Sequence, residues 1–134
     1  MDAQQALWLS GLILQALAEM EHSPGLTIEV AGDERLWTQL LPEESEEGGR
    51  LAGFVINFPY RGHSGDPLQT MHEIALKPPP GTRTIIWEDN GYARLWLRPD
   101  VPLVGLAHFV GDVLERIVGA PQNAELAVRI EYGY

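Results

Sequence analysis

Residues 84–97 read TIIWEDNGYARLWL, and this segment decides how the rest of the chain is interpreted. Two apolar runs, Thr84–Asp89 and Tyr92–Leu97, flank the pair Asn90-Gly91. Asn-Gly is the preferred pair for a two-residue type I′ turn, because the twist of that turn matches the twist of the two strands it joins. The segment therefore predicts a β-hairpin.

Further strand candidates precede the hairpin. Leu26–Val30 alternates apolar and polar residues, and the apolar run Leu51–Phe58 is the strongest candidate for a central strand. Thr70–Leu76 is predicted as another strand because His72 and the apolar residues after it alternate. Residues 36–41 fit either a short helix or a strand. The prediction is therefore an antiparallel meander of four or five strands.

Two amphipathic helices enclose these strands in the sequence. The first is predicted over Ala3–Glu21, with Asp2 as its N-cap and apolar residues at helical spacing. The second begins after Asp100 and Pro102 and ends at Gly119. Because each helix and the meander present one apolar face, the simplest arrangement packs both helices on the same face of the sheet. The predicted fold class is α+β, with an N-terminal helix, the meander and a C-terminal helix.

The composition predicts a single domain over residues 1–134, with the tail 123–134 fitting either a short strand or a helix. Nineteen acidic residues against nine basic ones give a formal net charge of −10. This charge argues against a nucleic-acid groove or an anionic membrane surface as the partner, since binding phosphates needs a basic face. The chain has no cysteine, which excludes disulfides, thiolate metal sites and thiol catalysis.

The N-terminal segment predicts a cytoplasmic location. Leu7–Leu17 is apolar, but no Lys or Arg precedes Arg35, so the positive region of a signal peptide is missing. No apolar run reaches the ~18 residues that a membrane span needs. We therefore expect a soluble, cytoplasmic protein.

Few residues have a pattern that indicates catalysis or metal binding. Gly62–Asp66 resembles a nucleophile elbow, but Asp66 stands where that motif has its last glycine, so we interpret the segment as a surface turn. His72 is interpreted as a partly buried structural residue, and His108 as a residue of a helix face. Four titratable residues match no named metal-ligand spacing: His63, Asp66, His72 and Glu73. No metal or other cofactor is expected.

Two groups of residues are candidates for contacts with protein partners. Glu43–Glu47 is interpreted as a solvated acidic turn, with contact to a basic patch as the functional alternative. Trp37, Trp87 and Trp96 are expected in the core or half-buried in the sheet. Trp8 lies beside the main stripe of the first helix and is a candidate interface residue.

Several short motifs follow one another in a fixed order after the first helix. Glu47-Gly48-Gly49 precedes a strand, Phe58-Pro59-Tyr60 follows it, and a run of prolines comes next. Gly91–Leu97 then precedes the long amphipathic helix, and Pro121–Ala127 follows that helix. Over most of the chain, this order resembles the ubiquitin-conjugating-enzyme fold, including its prokaryotic relatives.

In that family a Gly-x-x-Cys-Leu segment carries the thioester cysteine just ahead of the cross-over helix. Here Ala93 and Arg94 occupy that position, and the family's upstream His-Pro-Asn tripeptide is missing. Without a thiol no thioester forms on this chain. The chain is then either a natural variant without the cysteine or one from which it was removed by design; in the second case the native protein is a ubiquitin-like protein transferase.

The resemblance implies a module that docks an activating-enzyme-like adenylating protein, a ubiquitin-like protein, or both. It places these contacts on the exposed face of the first helix and near the end of the sheet. The implied contact residues are Gln4, Gln5, Trp8, Pro59 and Tyr60.

A second resemblance rests on architecture and composition. A small, acidic, cysteine-free α+β domain without catalytic residues is also similar to type III secretion chaperones and related peptide-binding proteins. That resemblance implies a homodimer that binds a segment of a partner, often by adding a strand to a sheet edge. The oligomeric state separates the two interpretations, because a conjugating-enzyme-like domain is expected to be monomeric without its partners.

Overall fold

The structure is a computed structural model that describes all 134 residues. The chain forms three helices and six strands. In chain order they are α1 (Ala3–Ala18), β1 (Gly25–Val30), β2 (Asp33–Glu44), β3 (Leu51–Pro59), α2 (Pro67–Glu73), β4 (Arg83–Trp87), β5 (Tyr92–Leu97), α3 (Leu103–Asp112) and β6 (Leu126–Glu131). A 3₁₀ turn, Met20–His22, follows α1, and a π-helical segment, Val113–Val118, continues α3.

Helix α1 begins where the sequence predicts. The Asp2 carboxylate accepts a hydrogen bond from the Gln5 backbone amide at 2.8 Å, and the Asp2 backbone amide donates to Gln5 Oε1 at 3.4 Å. These two bonds form a capping box, which satisfies amide groups that the first turn of a helix leaves free. The helix ends at Ala18 rather than at the predicted Glu21, because the chain tightens into the 3₁₀ turn.

All neighbouring strands of the sheet are antiparallel, in the order β4-β5-β3-β2-β1-β6. The α+β class is confirmed, but the predicted four or five strands are too few. The tail supplies the extra strand, because β6 pairs with β1 along its whole length. Three alternating residues of β6 face the core side: Leu126, Val128 and Ile130.

Residues 36–41 belong to a strand, which settles the alternative that the sequence left open. They lie in the middle of β2, which pairs with β1 on one side and β3 on the other. Pro42 does not end this strand. It lies opposite Phe54 of β3 but beyond the last residue that pairs with β1. Because β2 has a neighbour on only one side there, Pro42 stands at an edge position of the kind where sheets tolerate proline.

The predicted strand over Thr70–Leu76 is wrong, because this region contains helix α2. Asp66 is the N-cap, and its carboxylate accepts a hydrogen bond from the Leu68 amide at 3.0 Å. Pro67 occupies the first helical turn, where a missing N–H costs nothing. The helix places His72 in solvent, so the prediction of a partly buried His72 is also wrong.

The predicted hairpin exists, but its turn differs from the expected type I′ turn. The Gly91 amide donates to the Glu88 carbonyl at 2.9 Å, so the turn is centred on Asp89 and Asn90. Of the two central residues, only Asn90 has a positive φ, of 56°, whereas a type I′ turn needs a positive φ at both. The neighbouring loop holds this conformation, because the Gly62 amide donates to the Asn90 side chain at 2.8 Å.

One hydrophobic cluster lies between the helices and one face of the sheet. It contains 25 buried residues, including alternate residues of the strands and the inner faces of α1, α3 and the π-helical segment. The predicted stripe of the C-terminal helix is confirmed at its centre by six buried residues: Leu106, Phe109, Val110, Val113, Leu114 and Ile117. The opposite face of the sheet has no helix over it, and we call it the open face.

Candidate functional site

The two residues at the position of the family cysteine lie on opposite faces of β5. Ala93 is fully buried opposite Phe58 of β3, whereas Arg94 is exposed on the open face. Alternation along a strand forces this separation. A side chain at residue 93 therefore faces the core, and only residue 94 is accessible to a partner.

The five implied contact residues are divided between surface and interior. Gln4 and Trp8 are exposed on α1. Gln5 is partly buried, and its amide group donates to the Ala124 carbonyl at 3.1 Å. Pro59 and Tyr60 are buried at the end of β3, so their side chains are not available to a partner.

Tyr60 anchors the loop that follows β3. Its hydroxyl donates to the Gly65 carbonyl at 2.9 Å and lies 2.6 Å from the Thr70 hydroxyl. Its ring stacks on His63, whose Nε2 is 2.9 Å from the Ile117 carbonyl. Residues 60–70 are thus tied to the C-terminal helical segment and play a structural part.

Replacing Tyr60 with phenylalanine is expected to reduce the loss of stability at high pH. Burial raises the pKa of the Tyr60 phenol above its usual value. The folded protein therefore holds this proton more tightly than the unfolded chain does. The resulting stabilisation is complete below the unfolded pKa of about 10 and is lost as the pH rises through the higher folded value.

Urea unfolding between pH 8 and pH 11 measures this effect. Near pH 8 the Tyr60→Phe variant is expected to be about 1–2 kcal/mol less stable, because it loses the hydroxyl's hydrogen bonds. Between pH 9 and pH 11 its unfolding free energy is expected to fall less steeply than that of the original chain. Equal slopes for the two proteins would contradict the assignment to Tyr60.

The remaining titratable candidates are dispersed. His108 is exposed on α3, in agreement with its interpretation as a helix-face residue. Glu43 and Glu44 end β2, and the exposed turn after them is closed by a bond from the Gly49 amide to the Glu44 carboxylate at 2.6 Å. No group of three or more His, Asp or Glu side chains is arranged to hold a metal ion.

Strand β4 forms one free edge of the sheet. Its backbone pairs only with β5, and no other segment forms a backbone hydrogen bond with it. Three consecutive apolar side chains are exposed there: Ile85 (48%), Ile86 (46%) and Trp87 (39%). Ile85 has no partner on β5, because the register shifts between Thr84 and Ile86. The only charged residue of this strand is Arg83.

The open face carries a row of hydrogen-bonded polar side chains that crosses three strands. Arg94 Nε donates to Asn57 Oδ1 at 2.7 Å, and Asn57 Nδ2 donates to Gln39 Oε1 at 3.0 Å. Gln39 Nε2 in turn donates to the Tyr134 hydroxyl at 3.0 Å. We call these four residues the polar row. The bonds fix the orientation of both amide groups and of the guanidinium group.

A second, largely apolar row runs beside the polar row. Trp96 lies opposite Val55, which in turn lies opposite Leu41. Val55, Leu41 and the ring of Tyr134 also line a cleft of about 280 Å³. We call Trp96, Val55, Leu41 and the Tyr134 ring the apolar row. The guanidinium carbon of Arg83 lies 4.3 Å from the centre of the Trp96 ring, which is a cation–π distance.

Helix α1 adds a third exposed apolar patch on its outer side. Leu7 and Leu14 are 62% and 59% exposed, and Trp8 is 45% exposed. The sequence pattern identified Trp8 as an interface candidate. It did not identify β4 or the two rows of the open face as candidate sites. Arg94 of the polar row was a candidate only because it stands at the position of the family cysteine.

None of the helices is long and apolar enough to cross a membrane. Comparison of the chain with protein-family models, with characterised proteins and with solved structures found no match.

Proposed function

We propose that this chain is a non-enzymatic binding protein that captures an extended segment of a partner protein at the β4 edge. The binding mode is that of type III secretion chaperones and related peptide-binding proteins, in which a partner strand extends the sheet. The observation that carries the proposal is the unpaired backbone of β4 beside three exposed apolar side chains.

The two edges of the sheet differ in a way that favours this role for β4. Soluble proteins protect edge strands with charged residues, because a bare edge invites pairing with another chain. At the opposite edge, Arg129 of β6 lies within 4 Å of the carboxylates of both Glu29 and Glu131. Strand β4 has no comparable charged cluster. An edge that carries three exposed apolar side chains is typical of an interaction surface.

The Ile85→Lys variant tests the proposal. A lysine on the edge introduces a charge that a captured strand would have to desolvate, and Ile85 has no ladder partner on β5 whose pairing the change would disturb. Tagged wild-type and variant chains are used to recover proteins from host lysate, and the recovered proteins are quantified by mass spectrometry. Recovery of the partner is expected to fall at least tenfold.

Val104→Lys is the matched control, because Val104 is 42% exposed and lies on α3, away from β4. It adds the same charge and is expected to recover the partner as well as the original chain does. Equal recovery by the Ile85→Lys variant, or recovery of no partner by the original chain, would reject the proposal.

A second candidate function is the docking module implied by the ubiquitin-conjugating resemblance. The exposure of Arg94 and Trp8 favours it, because an active-centre position and a helix surface are then available to partners. The same recovery experiment separates the two candidates. An adenylating enzyme or a ubiquitin-like protein among the recovered partners supports docking of the conjugating type, whereas a secreted protein supports the chaperone type.

The oligomeric state gives an independent comparison. Light scattering is expected to report about twice the chain mass of 14.9 kDa for a chaperone-like homodimer. A monomer in the absence of partners favours the conjugating-type module.

A further inference from the structure

The guanidinium group of Arg94 is held in place before any ligand arrives. Its Nε is bound by Asn57, which is only 9% exposed and whose own amide is bound by Gln39. The two terminal nitrogens of Arg94 have no hydrogen-bond partner in the protein. A planar guanidinium fixed in this way presents two parallel donors, the geometry that binds a carboxylate in bidentate fashion.

Arg83 provides a second positive charge on the same face. It lies opposite Trp96 of β5, and Trp96 is two residues from Arg94 on that strand. Arg83 is therefore a diagonal neighbour of Arg94 across a ladder whose register shifts between Thr84 and Ile86, and a long side chain can span such a diagonal. The contact with the Trp96 ring holds the Arg83 side chain over the sheet.

Neither arginine has an acidic partner, although the chain contains 19 acidic residues. No carboxylate lies within 4 Å of a nitrogen of Arg83 or Arg94. Three other arginines do have such a partner: Arg35, Arg98 and Arg129. Two neighbouring, unneutralised guanidinium groups in a protein of net charge −10 mark a local site of opposite sign to its surroundings.

We infer that the open face binds an acidic segment of a partner protein, with a carboxylate on Arg94 and Arg83 and an apolar side chain on the apolar row. The two rows lie side by side, so a segment that combines acidic and apolar residues fits both. An apolar side chain of the bound segment enters the cleft that Leu41, Val55 and Tyr134 help to line.

The net charge of the chain favours this occupant over a nucleic acid. A polyanion would bring many phosphates against a surface of net charge −10, whereas a short segment needs to place only one or two carboxylates. The inferred site uses side chains on the open face of β2, β3 and β5 and Arg83 at the start of β4, rather than the unpaired backbone of β4. It therefore does not depend on the proposed capture at the edge.

Fluorescence anisotropy with a designed peptide tests the inference. The probe is a fluorescein-labelled nine-residue peptide in which pairs of aspartates alternate with pairs of leucines, so that each face of the extended peptide carries both residue types, and its control has asparagine in place of aspartate. The aspartate peptide is expected to bind at least tenfold more tightly. Arg94→Gln and Arg83→Gln are each expected to weaken its binding at least tenfold and to leave binding of the asparagine peptide unchanged.

Arg61→Gln is the matched control, because Arg61 is exposed, lies in a loop and has no ion-pair partner. It removes the same charge and is expected to leave the affinity unchanged. The Ile85→Lys variant is expected to bind the aspartate peptide no more weakly than the original chain does, which separates this site from the β4 edge. Equal affinity for the two peptides, no effect of Arg94→Gln, or no binding of the aspartate peptide would overturn the inference.

Discussion

Replacing Phe54 with alanine is expected to lower the free energy of unfolding by about 3–5 kcal/mol, the usual cost of truncating a fully buried phenylalanine. Phe54 is 0% exposed and lies in β3, between β2 and β5. It faces the single hydrophobic cluster that joins the helices to the sheet. The loss includes the transfer energy of the ring and the energy of the cavity left behind.

Val55→Ala is the control within the same strand. Val55 is the next residue along β3, and its side chain lies on the open face with no helix over it. The change is expected to cost about 1 kcal/mol, the range over which side chains alter strand stability on a partly exposed surface. Urea or thermal unfolding measures both variants. Similar losses for the two would mean that the open face is covered in solution.

Replacing Gly53 with alanine is expected to destabilise the protein by about 1–3 kcal/mol, the usual range for overpacking. An added Cβ would lie 2.7 Å from Cε2 of Trp96 and 2.8 Å from the carbonyl oxygen of Leu97. The Trp96 ring can rotate away, but the carbonyl belongs to the backbone of β5 and cannot. The substitution therefore strains the β3–β5 ladder and moves Trp96 away from Arg83.

Gly11→Ala is the matched control, with an effect of opposite sign. Gly11 lies in α1, is exposed, and has no atom within 4 Å of the position of an added Cβ. Alanine is preferred to glycine in a helix interior by up to about 1 kcal/mol, so this variant is expected to be more stable than the original chain. Chemical unfolding measures both changes, and near-ultraviolet circular dichroism reports the movement of Trp96. A Gly53→Ala variant as stable as the original chain would contradict the close packing described for this position.

Several features of the fold that depend on residues close together in the sequence were predicted correctly. They are the Asp2 N-cap of α1, strand β1 and the hairpin near Asn90. Of the two errors, one has a local cause and the other does not. The alternation over Thr70–Leu76 predicts a strand, whereas Asp66 and Pro67 just before it are the cap and first residue of a helix. The hairpin turn was misplaced because its conformation depends on Asn90 bonding to a loop 28 residues away in the chain.

The candidate sites were predicted less well than the fold. The position of Arg94 was identified from a family motif, and its exposure on the open face follows from strand alternation. Its bond to Asn57 joins residues 37 positions apart, so no local pattern indicates it. Pro59 and Tyr60 were assigned to a partner surface from the same family resemblance, but the packing of the loop after β3 buries both.

The sequence by itself determined the α+β class, the N-cap of α1, the presence of the hairpin and the net negative charge, because these depend on neighbouring residues and on composition. Only the tertiary structure decided which strand is a free edge, which face of the sheet lacks a helix, and which arginines lack an acidic partner. Those properties depend on strand order and register. Pairing between distant segments sets both, and it brings Gln39, Asn57 and Arg94 into one row across three strands.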